Sequence, residues 1–513
     1  MRSGSPTQLV LGDRQVVVLL VSIIFVALCG IAYELIIAAA STYLLGNSVY
    51  QFSLTIGFFM FAMGIGSFLS RLIVDDLVKS FIVIEIVISI AGGVCSLTLF
   101  IVYAYVTVLY VPVMYFFIIL IGILVGLEAP LLTRILSHKE ILRKSISDVL
   151  SLDYIGALIG SVAFPLLLLP SVGLIRSSFV IGLINILTAV VNLYYFKTQV
   201  RSTRLLTWIS VCVLAALSVL TAVGSRLSSF AEQHLYQDQV IFRKQTPYQK
   251  IVVTQNSLDS RFRMFIDGHI QFSERDEYRY HEALVHPVMA LAGRREQVLI
   301  LGGGDGLAAR EVLKYADVRS VTIVDIDPEV TRFAAGFPAL RTLNKDALRD
   351  PRVKVVNADA FNYLQKSRQK YDRVIIDMPD PHNEALSKLY SREFYRLIAN
   401  RLSPQGALVT QSSSPFFARR TYWSIASTIG AAGYHTFSYQ VTIPAFGIWG
   451  FHLGRKIPVS LTDIRLTVPT RFLTGEVLAS ATVFGKDVSR IDSPVNTLLE
   501  PVIYMLYVND LRN

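Results

Sequence analysis

Seven stretches of this chain, near residues 16–42, 52–70, 80–104, 108–132, 150–169, 174–196 and 205–224, are apolar for the length of a membrane crossing. A hydrocarbon layer about 30 Å thick takes about 20 apolar residues in helical form. Inside that layer every backbone polar group must be paired within its own segment, so helices are the form to expect. The first stretch is too long to be a cleaved signal peptide, and six more follow it.

Charge separates the rest of the chain from this part. Residues 1–225 hold 12 of the 48 Lys and Arg and 9 of the 38 Asp and Glu, and residues 226–513 hold the other 36 and 29. The second density is that of an ordinary water-soluble domain, long enough for a full catalytic core. With 53% hydrophobic and only 17% charged residues overall, the chain is neither a disordered protein nor a small disulfide scaffold. Its three cysteines, Cys29, Cys95 and Cys212, all lie in apolar stretches and read as small packing residues. The soluble half has none, so it offers no disulfide and no zinc-thiolate site. A net charge of +10 does not select nucleic acid, because the basic residues are scattered and lack interleaved aromatics. The partners to expect are a lipid bilayer and a small molecule.

Loop charges give an orientation. Arg2 and Arg14, then Arg71 and Lys79, then Arg134, Lys139, Arg143 and Lys144, then Lys197, Arg201 and Arg204 fall in alternate loops, and the intervening loops hold only Arg176. The positive-inside rule places the N-terminus in the cytoplasm of a multi-pass protein of the inner membrane. Seven spans from there would put the soluble half outside, yet large domains translocate regardless of charge, so its side stays open. Glycines in Gly64-Ile65-Gly66-Ser67 and Gly156-Ala157-Leu158-Ile159-Gly160-Ser161 read as close helix contacts. Glu34, Glu85, Glu128 and Asp153 lie within or at the ends of apolar stretches, where they either line a path for a cation or bond to nearby backbone.

In the soluble half, 250–254 and 263–268 read as short strands of a small β-domain. Apolar strands at 298–301, 321–327, 353–356, 373–376 and 407–410 then alternate with helices, which is the pattern of a doubly wound parallel sheet with its ligand beyond the carboxyl strand ends. Gly302-Gly303-Gly304-Asp305-Gly306 follows the first of these strands and lets backbone approach a ligand closely. Asp325 closes the second strand, where it can accept from ribose hydroxyls; Asp359 follows the third, where it can read an adenine amino group. The bland reading of these acids is that they cap helices. Asp305 is a poor neighbour for a pyrophosphate, so a nucleoside linked to a cationic sulfonium fits better. Glu274 to Glu282 and Asp377-Met378-Pro379-Asp380-Pro381 bring further acids to the same edge, as a positive, amine-bearing substrate requires. No metal cage and no covalent triad accompany them.

These residues resemble one family. Ile266-Asp267-Gly268-His269-Ile270-Gln271, Glu274 to Glu277, Tyr280-His281-Glu282, Gly302 to Gly306 with Arg310-Glu311, and Asp377 to Asp380 leading to Phe394-Tyr395 are similar to the spermidine synthases, the polyamine aminopropyltransferases. Asn47-Ser48-Val49-Tyr50-Gln51-Phe52-Ser53 and Trp449-Gly450-Phe451 resemble the bacterial branch that carries an N-terminal multi-span membrane domain. The resemblance implies a tail over 1–15, a helical membrane domain over 16–225 and a small β-domain over 226–285. It further implies an α/β Rossmann-like domain of class I methyltransferase type over 286–455 and a C-terminal extension over 456–513.

For activity it implies transfer of an aminopropyl group from decarboxylated S-adenosylmethionine to putrescine, giving spermidine and methylthioadenosine, without a metal or a resident cofactor. Gln249, Gly302, Gly304, Asp305, Asp325 and Asp359 would hold the donor, with Asp325 on the ribose, Asp359 on the adenine and Asp305 on the aminopropyl amine. Tyr280, His281, Asp305 and Asp380 would position the amines, and Asp377 would be the base. The resemblance also allows a homodimer. The sequence departs from the family at Asp325, usually Glu, at His382-Asn383-Glu384 in place of a Gly-Pro pair, and at Pro444-Ala445-Phe446, which lacks a tyrosine. Two other functions fit parts of the same residues: a methyltransferase using intact S-adenosylmethionine, and a polyamine or cation transporter whose soluble half senses ligand.

Overall fold

The computed structural model describes residues 11–46, 48–137, 142–200, 202–233 and 235–512. Arg2, Asn47, Lys139 and Arg201 lie outside the described residues. The chain forms two compact units, Met1–Gln237 and Asp238–Asn513.

The first unit holds helices α1 (Asp13–Leu45), α2 (Ser48–Leu69), α3 (Leu77–Tyr105), α4 (Tyr110–Leu136), α5 (Leu142–Ala163), α6 (Leu169–Tyr195) and α7 (Thr203–Gln233). The last of these continues past the expected end near 224. Among the described residues six runs are long and apolar enough to cross a membrane, because α5 and α6 form one continuous run, Lys144–Tyr195, of 52 residues. Drawn straight it would measure about 78 Å, more than twice the hydrocarbon thickness.

That run turns back on itself. Gly156 and Gly160 of α5 lie against Ile24, Ala27, Leu28 and Ile31 of α1, with the numbers rising together, so these two helices are parallel. Helix α6 meets α1 in reverse: the Cys29 thiol points to Ile181 O, Asn192 Nδ2 donates to Ser22 Oγ at 2.7 Å, and Gln15 Nε2 donates to Tyr195 O at 2.9 Å. The reversal is made by local chemistry. Pro165 lies in a π-turn over Phe164–Leu168, Pro170 follows, and Gly173 takes φ +77° and ψ 174°, which no other residue adopts cheaply. Helix α7 again runs against α6, with Gly224 on Arg176 and Phe179 and Leu217 on Gly182.

Close packing explains Gly66, Gly156 and Gly160 but not Gly64, where a Cβ would meet nothing within 4 Å. A Cβ on Gly66 would stand 2.0 Å from Ile123 O, and one on Gly156 would stand 2.2 Å from Ile24 O. Of the acids, Glu34, Glu85 and Glu128 are buried and Asp153 is half-buried. The carboxyls of Glu85 and Glu128 bond to each other and to no other described residue, so bonding to nearby backbone does not account for this pair.

The second unit opens with an antiparallel sheet in the order β1 (Gln239–Gln245), β2 (Lys250–Gln255), β3 (Phe262–Ile266), β4 (His269–Ser273). Asp267 and Gly268, both at positive φ, make the two-residue turn of its last hairpin. Helix α8 (Glu277–Met289) leads on to a seven-stranded sheet in the same compact unit. That sheet is built from β5 (Gln297–Gly302), β6 (Ser320–Asp325), β7 (Val353–Asn357), β8 (Tyr371–Asp377), β9 (Leu402–Gln411), β10 (His435–Ile443) and β11 (Gly447–Arg455).

Its order is β10-β11-β9-β8-β5-β6-β7. Strands β5 to β9 are parallel, as the apolar runs predict, but β11 pairs antiparallel with both β9 and β10, so the sheet is mixed rather than wholly parallel. The cause is the short connection at Pro444-Ala445-Phe446, which can only make a hairpin. From β5 the order runs one way through β6 and β7 and the other way through β8 and β9. A crevice therefore opens at the carboxyl ends of β5 and β8.

Candidate active site

The glycine run after β5 is shaped by its neighbours. Gly302 has φ +82°, and a Cβ there would lie 1.9 Å from Asp377 O, so only glycine lets the ends of β5 and β8 meet. Gly304 N donates to Asp325 Oδ2 at 3.0 Å, and Asp327 N donates to the other oxygen at 2.9 Å. Backbone thus fixes the Asp325 carboxyl at the end of β6, while its enclosed setting pushes it up to about 6. The turn that carries Gln249 is pinned to the same edge, because Thr246 Oγ1 donates to Asp327 Oδ2 at 2.8 Å and the Gln249 backbone bonds to Thr246.

Asp359 follows β7 and starts helix Ala360–Lys366, taking Asn362 N at 2.8 Å on one oxygen and Lys388 Nζ at 2.7 Å on the other. Burial pushes this carboxyl up, but Lys388 and the helix backbone outweigh it and hold the group below the usual range. The capping role is therefore real for Asp359. It does not exhaust the carboxylate, each oxygen of which can accept a further bond. Lys388 had no signal in the sequence, since it lies 29 residues away.

The acids assigned to the amines gather beside this edge. Tyr280 Oη, on α8, donates to Asp377 Oδ1 at 2.7 Å. His281 is the next residue, and its Nδ1 stands 2.8 Å from both the carbonyl and the carboxyl of Glu277, two acceptors, so Nδ1 carries a proton. Burial alone would lower His281, but Glu277, helped by Asp305 and Asp377, raises it to about 9. The ring is therefore an imidazolium at neutral pH. Asp305 accepts from Leu307 N at 2.8 Å and stands at about 6, driven up by burial and by Asp377 and drawn down by His281. Burial raises Asp377 too, against the pull of His281 and Tyr280.

Behind His281 runs a chain of charges. Arg310 grips Glu277 with two bonds of 2.8 and 2.9 Å and donates Nε to Glu311 at 2.8 Å, and Glu311 meets His286 Nε2 at 2.9 Å. The cluster from Glu274 to Glu282 was read from the sequence; the hold of Glu277 on Arg310 was not. Glu282 has a different task, accepting from the backbone N–H groups of Arg471, Phe472 and Leu473.

Asp380 is the acid with the most hydroxyl and amide company. Gln411 Nε2 lies 3.2 Å from Oδ1, while Ser413 Oγ and Tyr507 Oη lie 3.2 and 3.0 Å from Oδ2. Burial lifts this carboxyl to about 6, with Tyr507, Gln411 and Ser413 holding it down part of the way. Sequence reasoning missed all three. A polar run at the end of β9, beside β8, was a usable clue to Gln411 and Ser413, but nothing near Tyr507 pointed to it. The loop of Pro444-Ala445-Phe446 closes on the same helix, with Ala445 N donating to Asp276 at 2.7 Å and the Phe446 ring edge-on to Tyr280.

Residues 277–461 match the spermine/spermidine synthase domain. A polyamine aminopropyltransferase of Streptomyces coelicolor is 44% identical over 504 residues, covering 96% of this chain and 94% of the relative. One from Leptospira interrogans is 40% identical over 489 residues, covering 95% and 97%. The chain belongs to the polyamine aminopropyltransferase family. Both relatives are matched along the apolar helices of this aminopropyltransferase as well as along its sheets. A solved spermidine synthase from Thermotoga maritima, 26% identical, covers 48% of the chain and 86% of its own, with a TM-score of 0.45. The chain is thus an aminopropyltransferase enzyme, and the methyltransferase reading is set aside.

Proposed function

We propose that this aminopropyltransferase is anchored in the membrane and transfers the aminopropyl group of decarboxylated S-adenosylmethionine to putrescine, releasing spermidine and methylthioadenosine. The observation that carries this reading is the position of Asp377. It ends β8 opposite Gly302, so one face of the crevice offers backbone and Asp325 to a nucleoside, and the other offers Asp305 and Asp380 to ammonium groups.

A primary amine has a pKa of about 10 and reaches the site as ammonium. One amine of putrescine gives its proton to Asp377, and its freed lone pair attacks the aminopropyl carbon next to sulfur. The carbon–sulfur bond breaks, its electron pair stays on sulfur, and the neutral thioether leaves. Little covalent chemistry is asked of the protein beyond taking one proton and aligning nitrogen, carbon and sulfur. Asp325 holds the ribose hydroxyls and Asp359 the adenine amino group, with Gln249 supporting the donor. Asp305 holds the aminopropyl ammonium, and Asp380 the distal ammonium of the acceptor. His281, as an imidazolium, is a donor only; it orients Asp305 and Asp377 and keeps the cluster of acids from repelling itself.

The reversal at Gly173 supports seven membrane crossings, with Lys144–Tyr195 supplying two. The test of the reaction uses the full chain in detergent with decarboxylated S-adenosylmethionine and a panel of amines, following products by mass. Methylthioadenosine with spermidine is the expected result. Turnover with another amine in preference to putrescine would overturn the acceptor, and turnover with none would overturn the reaction. A second reading, that the helices also move a cation, is favoured by the buried pair of carboxyls, Glu85 and Glu128, that meet only each other. Amine uptake into proteoliposomes that disappears in Glu128→Gln is its test, and no uptake by the native chain would end it.

A further inference from the structure

Residues beyond 461 lie outside the matched family domain, yet they reach the row of acids. Helix Val502–Arg512 packs on helix Arg419–Ala431 and is fixed there by Asp510, whose Oδ2 accepts from Thr421 N and Oγ1, each at 3.0 Å. Its other end is held by Asn496, which accepts from Ile503 N at 3.3 Å and donates to Ser387 O at 2.9 Å. One turn before Asp510, Tyr507 faces inward, nine-tenths buried, and donates to Asp380 Oδ2. The helix is thus anchored at both ends without Tyr507, whose hydroxyl is free to serve the carboxylate instead.

Its place along the row is informative. Tyr280 donates to Asp377 Oδ1, whereas Tyr507 donates to Asp380 Oδ2. Tyr507 therefore stands at the Asp380 end of the row. A phenol there can do two things for an incoming diamine. Its oxygen keeps lone pairs that accept from an ammonium already drawn to Asp380, and its ring limits how far the chain of methylenes can extend.

We propose that Tyr507 is a specificity-determining residue for the amine, closing the Asp380 end of the acceptor site and thereby selecting the length of the diamine. This rests on Asp380 receiving the distal ammonium, as proposed above. The decisive comparison is of the full-length native chain, Tyr507→Phe, Tyr507→Ala and Asp510→Asn, with α,ω-diamines of three to six carbons. Steady-state turnover is measured beside calorimetric amine binding in the presence of methylthioadenosine.

For Tyr507→Phe the KM of the preferred diamine rises about tenfold, the scale of one lost hydrogen bond to a charged group, while kcat and the donor KM move by less than roughly threefold. Tyr507→Ala shifts kcat/KM toward longer diamines, and Asp510→Asn, which keeps an oxygen to accept from Thr421 and so keeps the helix docked, changes neither the length preference nor the amine KM. The proposal is overturned if Tyr507→Phe binds the diamine as the native chain does, or if Asp510→Asn reproduces its effect. Binding separates the two levels. A native chain that binds diamine without turning it over refutes the reaction and still reads out Tyr507; a native chain that binds no diamine refutes both.

Discussion

Asp377, Asp380 and His281 divide between them the proton, the distal charge and the field of the site. Asp377→Asn keeps the bond to Tyr280 but can no longer take a proton. Turnover should fall at least about a hundredfold, with donor affinity within roughly threefold of native, as read by single-turnover kinetics beside binding of methylthioadenosine. A loss confined to KM would show that Asp377 binds rather than abstracts. Asp380, lifted to about 6, must be ionised to attract an ammonium. The amine KM should therefore be flat above that value and climb up to tenfold per unit below it, and because Asp305 and Asp325 also stand at about 6, the donor KM should climb over the same range. His281 carries the linked stability effect. Its folded value of about 9 exceeds the ordinary 6.5, so its contribution to the fold is complete below about 6.5 and is lost as pH rises through about 9. Of these three, Asp377 and Asp380 were legible from their motif and His281 from the family resemblance at Tyr280-His281-Glu282. The charge state of His281 was not, because it depends on burial and on Asp305 and Asp377, which only the folded chain brings near.

At the scale of elements, the turn after β5 is joined to β8 by backbone, Gly303 N donating to Asp377 O at 3.2 Å, and to β6 by Gly304 N on the Asp325 carboxyl. Gly304→Ala illustrates the consequence, since its Cβ would stand 2.5 Å from Asp325 Oδ2 and displace the carboxyl. The donor KM should rise about tenfold or more while the amine KM stays near native; equal changes in both would mean that the turn, not Asp325, had been lost. Strands β5 to β9 were readable in advance because each is a short apolar run bounded by polar turns. The break between α5 and α6 was readable too, as the gap between the apolar stretches 150–169 and 174–196. What could not be read was any pairing between distant elements: Lys388 with Asp359, and Tyr507 with Asp380. Nothing in local pattern encodes which carboxylate a tyrosine more than a hundred residues later will meet. The antiparallel β10–β11 pair was missed for a related reason, because an apolar strand does not declare its direction.

For the whole molecule the open question is address. The basic residues Arg14, Arg71, Arg134, Lys197 and Arg204 fall at the ends of helices that alternate in direction, and Arg134 NH1 donates to Ser70 O, tying two of those ends together. With seven crossings the positive-inside rule then sends Asp238–Asn513 to the face opposite Arg14. Protease added to intact spheroplasts should degrade that unit, and protection until the membrane is permeabilised would place it in the cytoplasm instead. The turn at Gly173 acquires a meaning here that has nothing to do with packing. Parity, odd or even, is a global property of the chain, and this one bend decides it. Were Lys144–Tyr195 to cross once, every catalytic residue would keep its geometry and face the other pool of amines. The compartment that supplies the acceptor is in that sense written in a backbone angle of the first unit rather than in any acid that touches the amine.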